Sequence, residues 1–242
     1  MKDLGKIVAH IPARGGSKRV KAKNLRLLCG KPMLQYSIDS AINANVFDSV
    51  YVNSDNDDML ALAESLGAVG YKREAYLADD TATGDQFTAD FITKVQPDTL
   101  VMISPVCPLV TGKEISQAID LYRQSDCDTL ITCESTQMQT FCEDEPVNID
   151  LTTQLAPTQE NKVVRILNWA VTIWDAKLFM KNYEQTGSAY IGKVRQLMPI
   201  DPMKGIKISH EEDFKMVERI MAGITEANDT DSEPEYWTQD NS

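Results

Sequence analysis

Five basic side chains flank a glycine pair near the start of this chain, an arrangement that could bind phosphate groups. Residues 7–24 have the sequence IVAHIPARGGSKRVKAKN, in which an apolar run of strand character leads into Gly15-Gly16. The basic residues are Arg14, Lys18, Arg19, Lys21 and Lys23. Glycines let backbone N–H groups approach a ligand closely, and several inward-pointing N–H groups form a nest for an anion. Because the whole chain carries a formal net charge of −12, so basic a loop predicts a site for a phosphate-rich small molecule; a solvated basic loop is the alternative.

The loop contains neither of two common phosphate-binding motifs, because G-x-x-x-x-G-K-[ST] and G-x-G-x-x-G cannot be written in it. Residues 13–24 instead fit A-R-x-G-S-K-x-x-x-x-K-N. This pattern resembles the signature loop of the acylneuraminate cytidylyltransferases, the CMP-sialic acid synthetases, within the sugar nucleotidyltransferases. The resemblance implies that the loop wraps the triphosphate of CTP and that Arg14 and Lys23 are catalytic. They would neutralise charge as a sugar hydroxyl attacks the α-phosphorus, since fixed cations stabilise such charge without reorganising.

Three later segments extend the resemblance to about residues 5–222. VNSD at 52–55 is similar to the family's V-S-T-D, Arg73 with LADDTA at 77–82 is similar to R-P-x-x-L-A-x-D-T-A, and ISPVCPL at 103–109 keeps the frame of L-Q-P-T-S-P-L. Ligands collect at such strand ends in open α/β sheets. Arg73 taken alone could equally be a surface ion-pair residue. The nucleotide-binding residues that the resemblance implies are Ala13, Arg14, Gly15, Ser17, Lys18, Asn24, Arg73 and Ala82.

The acidic residues that serve Mg²⁺ in that family are missing near the end of this chain. The family's I-D-I-D-x-x-x-D-F corresponds here to IKISHEEDF at 206–214. Lys207 replaces a carboxylate by a cation, which is no ligand for Mg²⁺ at neutral pH, and Ser209 with Glu212 is predicted to form a helix capping box. The metal ligands are therefore unknown. Mg²⁺ is expected to be held weakly, mainly by phosphate oxygens and water, with Asp213 or Asp201 contacting the ion through that water and Lys207 as an additional phosphate clamp.

The residues expected to face the acceptor also depart from the family. The family's Gln at the end of the central strand is Ser104, an Arg that faces the sugar is Thr158, and N-G-A-I-Y begins with Asn168 followed by Trp169. Loss of an arginine that pairs bidentately with a carboxylate is a large change. We assign Ser104, Asn168 and Lys207 to an acidic, sialic-acid-like keto-sugar, with CTP as the other substrate. Two alternatives stay open: a homologue that binds CTP but has lost catalysis, and a structural or regulatory subunit that keeps only the fold.

Composition argues against several other classes of protein. Five cysteines without a C-x-x-C pair fit reduced thiols in a cytoplasm better than a disulfide framework or a zinc site. Two histidines make a histidine metal cage or a Ser-His-Asp hydrolase a poor fit, and His10, within a strand-like run, is predicted to be a packed core residue. The acidic balance argues against nucleic acid as the main partner. No apolar stretch approaches a membrane span and residues 1–6 show no signal-peptide segment, so we predict a cytoplasmic protein without a membrane partner.

Short β-branched runs alternate with amphipathic helical patterns along most of the chain. This alternation predicts an α/β fold with three layers and a mostly parallel twisted sheet, as in the Rossmann-like nucleotidyltransferases that the motifs resemble. The predicted strands cover about 6–12, 25–28, 49–54, 69–72, 99–104, 128–133, 168–174 and 194–199. The predicted helices follow Pro32, Asp57, Asp85, Thr111, Asp175 and Glu211.

Two regions fall outside the alternation. Residues 134–166 are polar and weakly periodic, and the family resemblance implies an arm there that reaches over a second subunit, hence a homodimer; a long surface loop is the alternative. Residues 223–242 contain six acidic residues and no Lys or Arg, which predicts a disordered acidic tail. Residues 1–222 are then expected to form the nucleotidyltransferase domain.

Overall fold

Short apolar segments of this sequence pair into one large sheet and two small hairpins. The computed structural model describes residues 1–227. Its strands are β1 (Ile7–Pro12), β2 (Leu27–Leu28), β3 (Lys31–Pro32), β4 (Ser49–Ser54), β5 (Val69–Lys72), β6 (Thr99–Ile103), β7 (Thr129–Thr136), β8 (Phe141–Cys142), β9 (Glu145–Pro146), β10 (Val164–Asp175) and β11 (Arg195–Pro199). Seven of these strands form the large sheet in the order β11-β7-β10-β6-β1-β4-β5, while β2-β3 and β8-β9 pair separately.

The described residues also form six helices, several of which begin with a capping side chain. They are α1 (Met33–Ala44), α2 (Asp57–Ser65), α3 (Gly84–Val95), α4 (Gly112–Gln124), α5 (Ala176–Thr186) and α6 (Glu211–Ala227), with short 3₁₀ turns at Ala75–Leu77 and Thr158–Glu160. Thr83 and Thr111 begin α3 and α4 as capping boxes, in which the N–H of each Thr donates to the side chain of Gln86 or Glu114. The second of these was predicted from the sequence and is confirmed.

The sheet has a helix layer on each face, because alternate residues of the central strand point to opposite sides. Ile7, Ala9 and Ile11 of β1 belong to the larger core cluster, which also holds Ile38 of α1 and Ile115 of α4. Val8 lies in the second cluster, with apolar residues of α3 and α5. The α/β fold with three layers and a mostly parallel sheet is therefore confirmed.

Six of the seven strands run in the same direction, and β10 is antiparallel to both of its neighbours. The carboxyl ends of the parallel strands therefore meet at one edge of the sheet. The glycine loop follows β1 at this edge, Asp55 follows β4, Arg73 follows β5 and Ser104 follows β6. Such an edge is where ligands bind in open α/β sheets.

The predicted arm starts as a two-stranded ribbon that extends beyond this edge. Residues 134–136 of β7 pair with residues 164–166 of β10, further along than the last pairs of β11 with β7 and of β6 with β10. Between the two strands lie the β8-β9 hairpin and a 3₁₀ turn. The alternative interpretation of residues 134–166 as a long surface loop is therefore wrong at both ends, because these strands pair with each other outside the main sheet.

Near the chain end, two details differ from the sequence prediction. Helix α6 begins at Glu211 and extends to Ala227, five residues beyond the predicted domain end, and the rest of the predicted tail lies outside the described residues. The predicted capping box of Ser209 with Glu212 is wrong. The carboxylate of Asp213 accepts the N–H groups of Ser209 and His210, both at 2.8 Å. No helix in the described part of the chain combines the length and apolar character that a membrane span requires.

Candidate active site

Two backbone N–H groups of the glycine loop donate hydrogen bonds to the end of β4 and to the residue that follows it. The N–H of Ala13 donates to the carbonyl of Asn53 at 3.0 Å, and the N–H of Gly15 donates to the carboxylate of Asp55 at 2.9 Å. A Cβ added at Gly15 would lie 3.2 Å from the Cβ of Asn56, so this close approach favours glycine. These contacts therefore fix the start of the glycine loop beside the end of β4.

Asn24 closes the other end of the loop from a buried position. Its side-chain amide donates to the main-chain carbonyl of Arg14 at 3.2 Å, and the main-chain carbonyl of Asn24 accepts the N–H of Leu34 at the start of α1. The Oδ1 atom of Asn24 is buried and has no hydrogen-bond partner in the described structure. The side chain thus ties the loop to α1 and keeps one acceptor unused.

Beside the loop is a cavity of 430 Å³, large enough for a nucleotide-sized ligand. It is lined by Pro12, Arg14, Ser17, Lys18, Arg19, Val20, Lys23, Asn24, Asp80, Pro105, Val106 and Ser209. Four of these residues are cations and one, Asp80, is an acid. The lining therefore has a positive balance in a chain that is acidic overall, which suits a polyanionic ligand.

Lys23 occupies the back of this cavity. Its ammonium donates to the carbonyl of Ile208 at 3.0 Å, and the N–H of Ile208 donates to the carbonyl of Val106 after β6. Burial, followed by the neighbouring charges of Arg19, Lys207 and Arg14, lowers the pKa of Lys23 from 10.5 to about 8. Lys23 is thus a cation held next to other cations and bonded to a neutral carbonyl, which leaves its charge available to an anion.

Lys207 comes to this group from the segment before α6. It follows Ile206 and precedes Ile208, the residue whose carbonyl accepts the Lys23 ammonium, and its charge is felt by Lys23 and by the thiol of Cys107. The side chain of Ile208 is buried in a third core cluster. Ser209, on its other side, lines the cavity. The structure therefore brings Lys207 close to the basic loop although about 180 residues separate them.

Arg14 and Lys18 share one acidic partner at the mouth of the cavity. Arg14 donates to Asp80 Oδ1 at 3.0 Å and to the carbonyl of Asp79 at 3.2 Å. The Lys18 ammonium is bonded to Asp80 Oδ2. These bonds lower the pKa of the Asp80 carboxyl, with the hydrogen bond to Lys18 as the largest cause. Asp80 was not identified from the sequence, although it lies in the LADDTA segment that was.

Arg73 is a buried guanidinium rather than a surface ion-pair residue. Its Nε and one terminal nitrogen donate to the side-chain and main-chain oxygens of Asn53, at 2.7 and 2.8 Å, and its charge lies 4.6 Å from the centre of the Phe87 ring. Burial lowers the pKa of Arg73 to about 10. Asn53 also lies 3.0 Å from His10 Nε2, so His10, Asn53 and Arg73 form one buried chain below the strand ends.

His10 is fully buried and stacks on Phe91, with 4.3 Å between the ring centres. Burial, followed by the charge of Arg73, lowers the pKa of His10 well below 6.5. The prediction that His10 is a packed core residue is confirmed. Its hydrogen bond to Asn53, which bridges it to Arg73, has no local sequence signal because β1 and β4 are far apart in the chain.

Asn168 and Ser104, assigned to the acceptor, lie at the same edge but do not line the cavity. The Oδ1 of Asn168 accepts the Thr132 hydroxyl at 2.7 Å, while its buried Nδ2 has no partner in the described structure. The next residue, Trp169, has a φ of +58° at a β-bulge of β10, a backbone conformation that favours glycine. Its ring lies 5.4 Å from that of Tyr190. Asn168 is therefore held in a network, with one donor left unpaired.

The predicted nucleotide-binding and catalytic residues divide between the cavity lining and its surroundings. The lining includes Arg14, Ser17, Lys18, Lys23 and Asn24, whereas it does not include Ala13, Gly15, Arg73 and Ala82. The N–H of Ala82 donates to the carboxylate of Asp79 at 2.8 Å, which fixes the turn before α3. The structure thus brings the basic loop residues together and places the others around them.

The acidic groups around the cavity do not form a resident metal site. No cluster of three or more His, Cys, Asp or Glu side chains suited to a metal occurs within residues 1–227. Asp213 is engaged by two backbone N–H groups, and Asp80 by two cations. Lys207 adds positive charge where a metal would need ligands. This donor set does not fit a bound Mg²⁺ ion, and we derive no step through one.

Comparison with known proteins places the chain in a family. The model of the Cytidylyltransferase family matches residues 8–217. The chain is 29% identical to the Post-translational flagellin modification protein B of Campylobacter coli over 235 residues, which cover 89% of this chain and 94% of that protein. It is 26% identical to the CMP-N,N'-diacetyllegionaminic acid synthase of Legionella pneumophila over 232 residues, which cover 89% of this chain and 96% of that protein.

A solved structure supports the fold. The structure of a CMP:2-keto-3-deoxy-manno-octonic acid synthetase complexed with CTP superposes with a TM-score of 0.68 and covers 90% of this chain and 99% of that one. At 15% identity this likeness concerns the fold alone. It agrees with the nucleotidyltransferase fold expected from the sequence.

Proposed function

The chain belongs to the cytidylyltransferase family, and from this premise we propose that it transfers CMP from CTP to an acidic keto-sugar of the sialic acid type. An oxygen of the sugar hydroxyl forms the new bond to the α-phosphorus, the bond to the β-phosphate oxygen breaks, and pyrophosphate leaves. The hydroxyl proton passes to solvent. The observation that carries the proposal is the cavity at the carboxyl edge of the sheet, with Arg14, Lys18 and Lys23 in its lining.

The chemistry requires cations at fixed positions. Attack at the α-phosphorus spreads negative charge over the equatorial and leaving oxygens, and preorganised donors stabilise it without reorganising. Lys23 is positioned by the Ile208 carbonyl and Arg14 by the Asp79 carbonyl, both neutral acceptors. We assign these two side chains to the transition state. Arg14 would act there on the charge that develops on the leaving phosphate oxygen, so that Arg14 and Lys18 both face the outer phosphates.

The acceptor follows from the relatives and from the site. The Legionella relative is named for N,N'-diacetyllegionaminic acid, and we propose an acidic sugar of that class for this chain. We assign Asn168, whose buried Nδ2 has no partner in the described structure, and Ser104, which follows β6, to contacts with this sugar. We assign Lys207, whose charge is close enough to lower the pKa of Lys23, to the acidic group of this sugar.

We propose that Mg²⁺ enters as the counter-ion of CTP. Mg²⁺ binds readily to substrate phosphates with few protein ligands, and the acids near the cavity are already engaged. The expected consequence is activity that needs millimolar Mg²⁺, with affinity set by the nucleotide.

We also propose a cytoplasmic homodimer in which the arm packs on a second copy of the chain. The support is a group of seven exposed large apolar side chains within residues 134–166, since large apolar patches are uncommon on monomers. They are Met138, Phe141, Val147, Leu151, Leu155, Val163 and Ile166.

The decisive experiment measures pyrophosphate release from CTP in the presence of acidic keto-sugars of eight and nine carbons, with ATP, GTP and UTP as matched nucleotides. Turnover of CTP with any of these sugars supports the proposal and identifies the acceptor. A chain that is thermally stabilised by CTP but silent with every sugar would favour the homologue that binds CTP without catalysis. A chain with no preference for CTP would favour the structural or regulatory subunit.

A further inference from the structure

One carboxylate is ion-paired with two of the cations that line the cavity. Asp80 bonds to Arg14 through Oδ1 at 3.0 Å and to Lys18 through Oδ2, so that one carboxylate bridges both side chains. Two oxygens of a phosphate group bridge a pair of cations in the same manner. Among the residues within 1–227 that line this cavity, Asp80 is also the only acid.

The backbone that carries Asp80 is fixed independently of this bridge. The carboxylate of Asp79 accepts the N–H groups of Thr81 and Ala82 and the Thr81 hydroxyl, each at 2.8 Å. The capping box of Thr83 then begins α3. The Asp80 side chain can consequently leave the two cations by rotation, without movement of the loop.

The bridge is also open to solvent. The side chains of Arg14, Lys18 and Asp80 are 42%, 76% and 51% exposed. Exposed ion pairs are weak, because water screens both partners and the long side chains lose rotamer freedom. A ligand that offers more than one negative charge can therefore compete for the two cations.

From this geometry we infer that Asp80 is a specificity-determining residue, an internal anion that a nucleotide's outer phosphates must replace on Arg14 and Lys18. The inference rests on the proposed function, because it assigns these two cations to the outer phosphates of CTP. Pyrophosphate and the triphosphate carry enough charge to displace the carboxylate. The single phosphate of CMP, which has no outer phosphates, leaves the bridge closed.

The same exchange acts on the product side. When pyrophosphate is released, the Asp80 carboxylate returns to Arg14 and Lys18 and neutralises them. It thereby weakens rebinding of pyrophosphate. Asp80 thus lowers the affinity for every ligand with outer phosphates. It also makes the release of pyrophosphate faster than in a site without this carboxylate.

The test measures binding of inorganic pyrophosphate, CTP and CMP by calorimetry to the full chain and to Asp80→Asn, which keeps the size of the side chain but removes its charge. We expect pyrophosphate and CTP to bind about three- to tenfold more tightly to Asp80→Asn, as loss of a weak competing ion pair implies, and CMP to bind unchanged. Asp120→Asn is the matched control, since Asp120 pairs with Arg123 in an exposed bridge on α4. It should change none of the three affinities.

Two results would overturn the inference. Weaker pyrophosphate binding to Asp80→Asn would mean that the carboxylate assists the ligand, and equal binding would mean that it leaves the cations without cost. Asp80→Ala and a thermal melt check that each variant is folded. Pyrophosphate is tested alone, so a chain that binds it more tightly after Asp80→Asn but shows no preference for CTP would retain the exchange and lose the proposed function.

Discussion

Replacing Lys23 by methionine should strongly reduce turnover while making the ligand-free protein more stable. The pKa of Lys23 is lowered from 10.5 to about 8 by burial and by the nearby charges of Arg19, Lys207 and Arg14. A lowered lysine pKa means that the folded state holds the proton less tightly than the unfolded chain does. Below pH 8 both states carry the proton, and the folded state bears the full cost of holding it.

The size of this cost follows from the pKa. The change from 10.5 to about 8 corresponds to about 3 kcal/mol of destabilisation. Solvent in the open cavity screens part of it, and Lys23→Met also removes the hydrogen bond to the Ile208 carbonyl. We therefore expect a net stabilisation of about 1–2 kcal/mol at pH 7, or a rise in Tm of about 2–8 °C for a chain of this size.

The assay is thermal unfolding of the wild type and Lys23→Met between pH 7 and pH 10, together with turnover at saturating CTP. Because the wild type loses the Lys23 proton as pH rises through 8, the difference in stability should shrink towards pH 10. Turnover should fall by about 10²- to 10³-fold, as when one charge-stabilising donor is removed. Lys181→Met, on the exposed surface of α5, is the control. A lower Tm for Lys23→Met at pH 7, or a difference that does not change with pH, would refute the reasoning.

Three further predictions test the remaining parts of the site. Arg14→Ala should lower kcat by about 10²-fold with a smaller effect on the KM for CTP, because its charge acts on the transition state; a change confined to KM would argue against that role. Lys207→Ala should weaken CTP binding about tenfold, measured by calorimetry without Mg²⁺, whereas indifference to this substitution would favour a purely structural lysine. Leu151→Ser with Leu155→Ser, both more than 60% exposed in the arm, should convert a dimer into a monomer in analytical ultracentrifugation; a wild-type monomer at micromolar concentration would contradict the homodimer.

The sequence predicted best what depends on neighbouring residues. The strand at 49–54, the strand at 69–72 and the capping box at Thr111 follow from periodicity and caps, and the structure places them as expected. The basic loop was found because its charges and glycines are contiguous. Local patterns are enough for such features, because the interactions that create them lie within a few residues.

Features that depend on distant pairing were missed. The ends of β7 and β10 form a ribbon with no core face, so their polar sequence gave no strand periodicity. The cap of α6 was misassigned by one residue, because the helix begins at Glu211 and this places Asp213, not Glu212, where a side chain reaches back to the N–H of His210. The bridge from Asp80 to Arg14 joins residues 66 apart in the chain. None of these can be obtained from one segment alone.

An acidic protein keeps a cationic cavity because most nearby carboxylates are engaged by backbone N–H groups. Asp55 accepts from Gly15, Asp79 from the turn at 81–82, and Asp213 from the segment before α6. A carboxylate held by N–H dipoles is already satisfied and has less reason to pair with a neighbouring lysine or arginine. The loop cations instead contact neutral carbonyls and one exposed acid, Asp80. The positive charge of the site is thus preserved by where the acids are bonded, a property that net charge and motif spacing do not reveal.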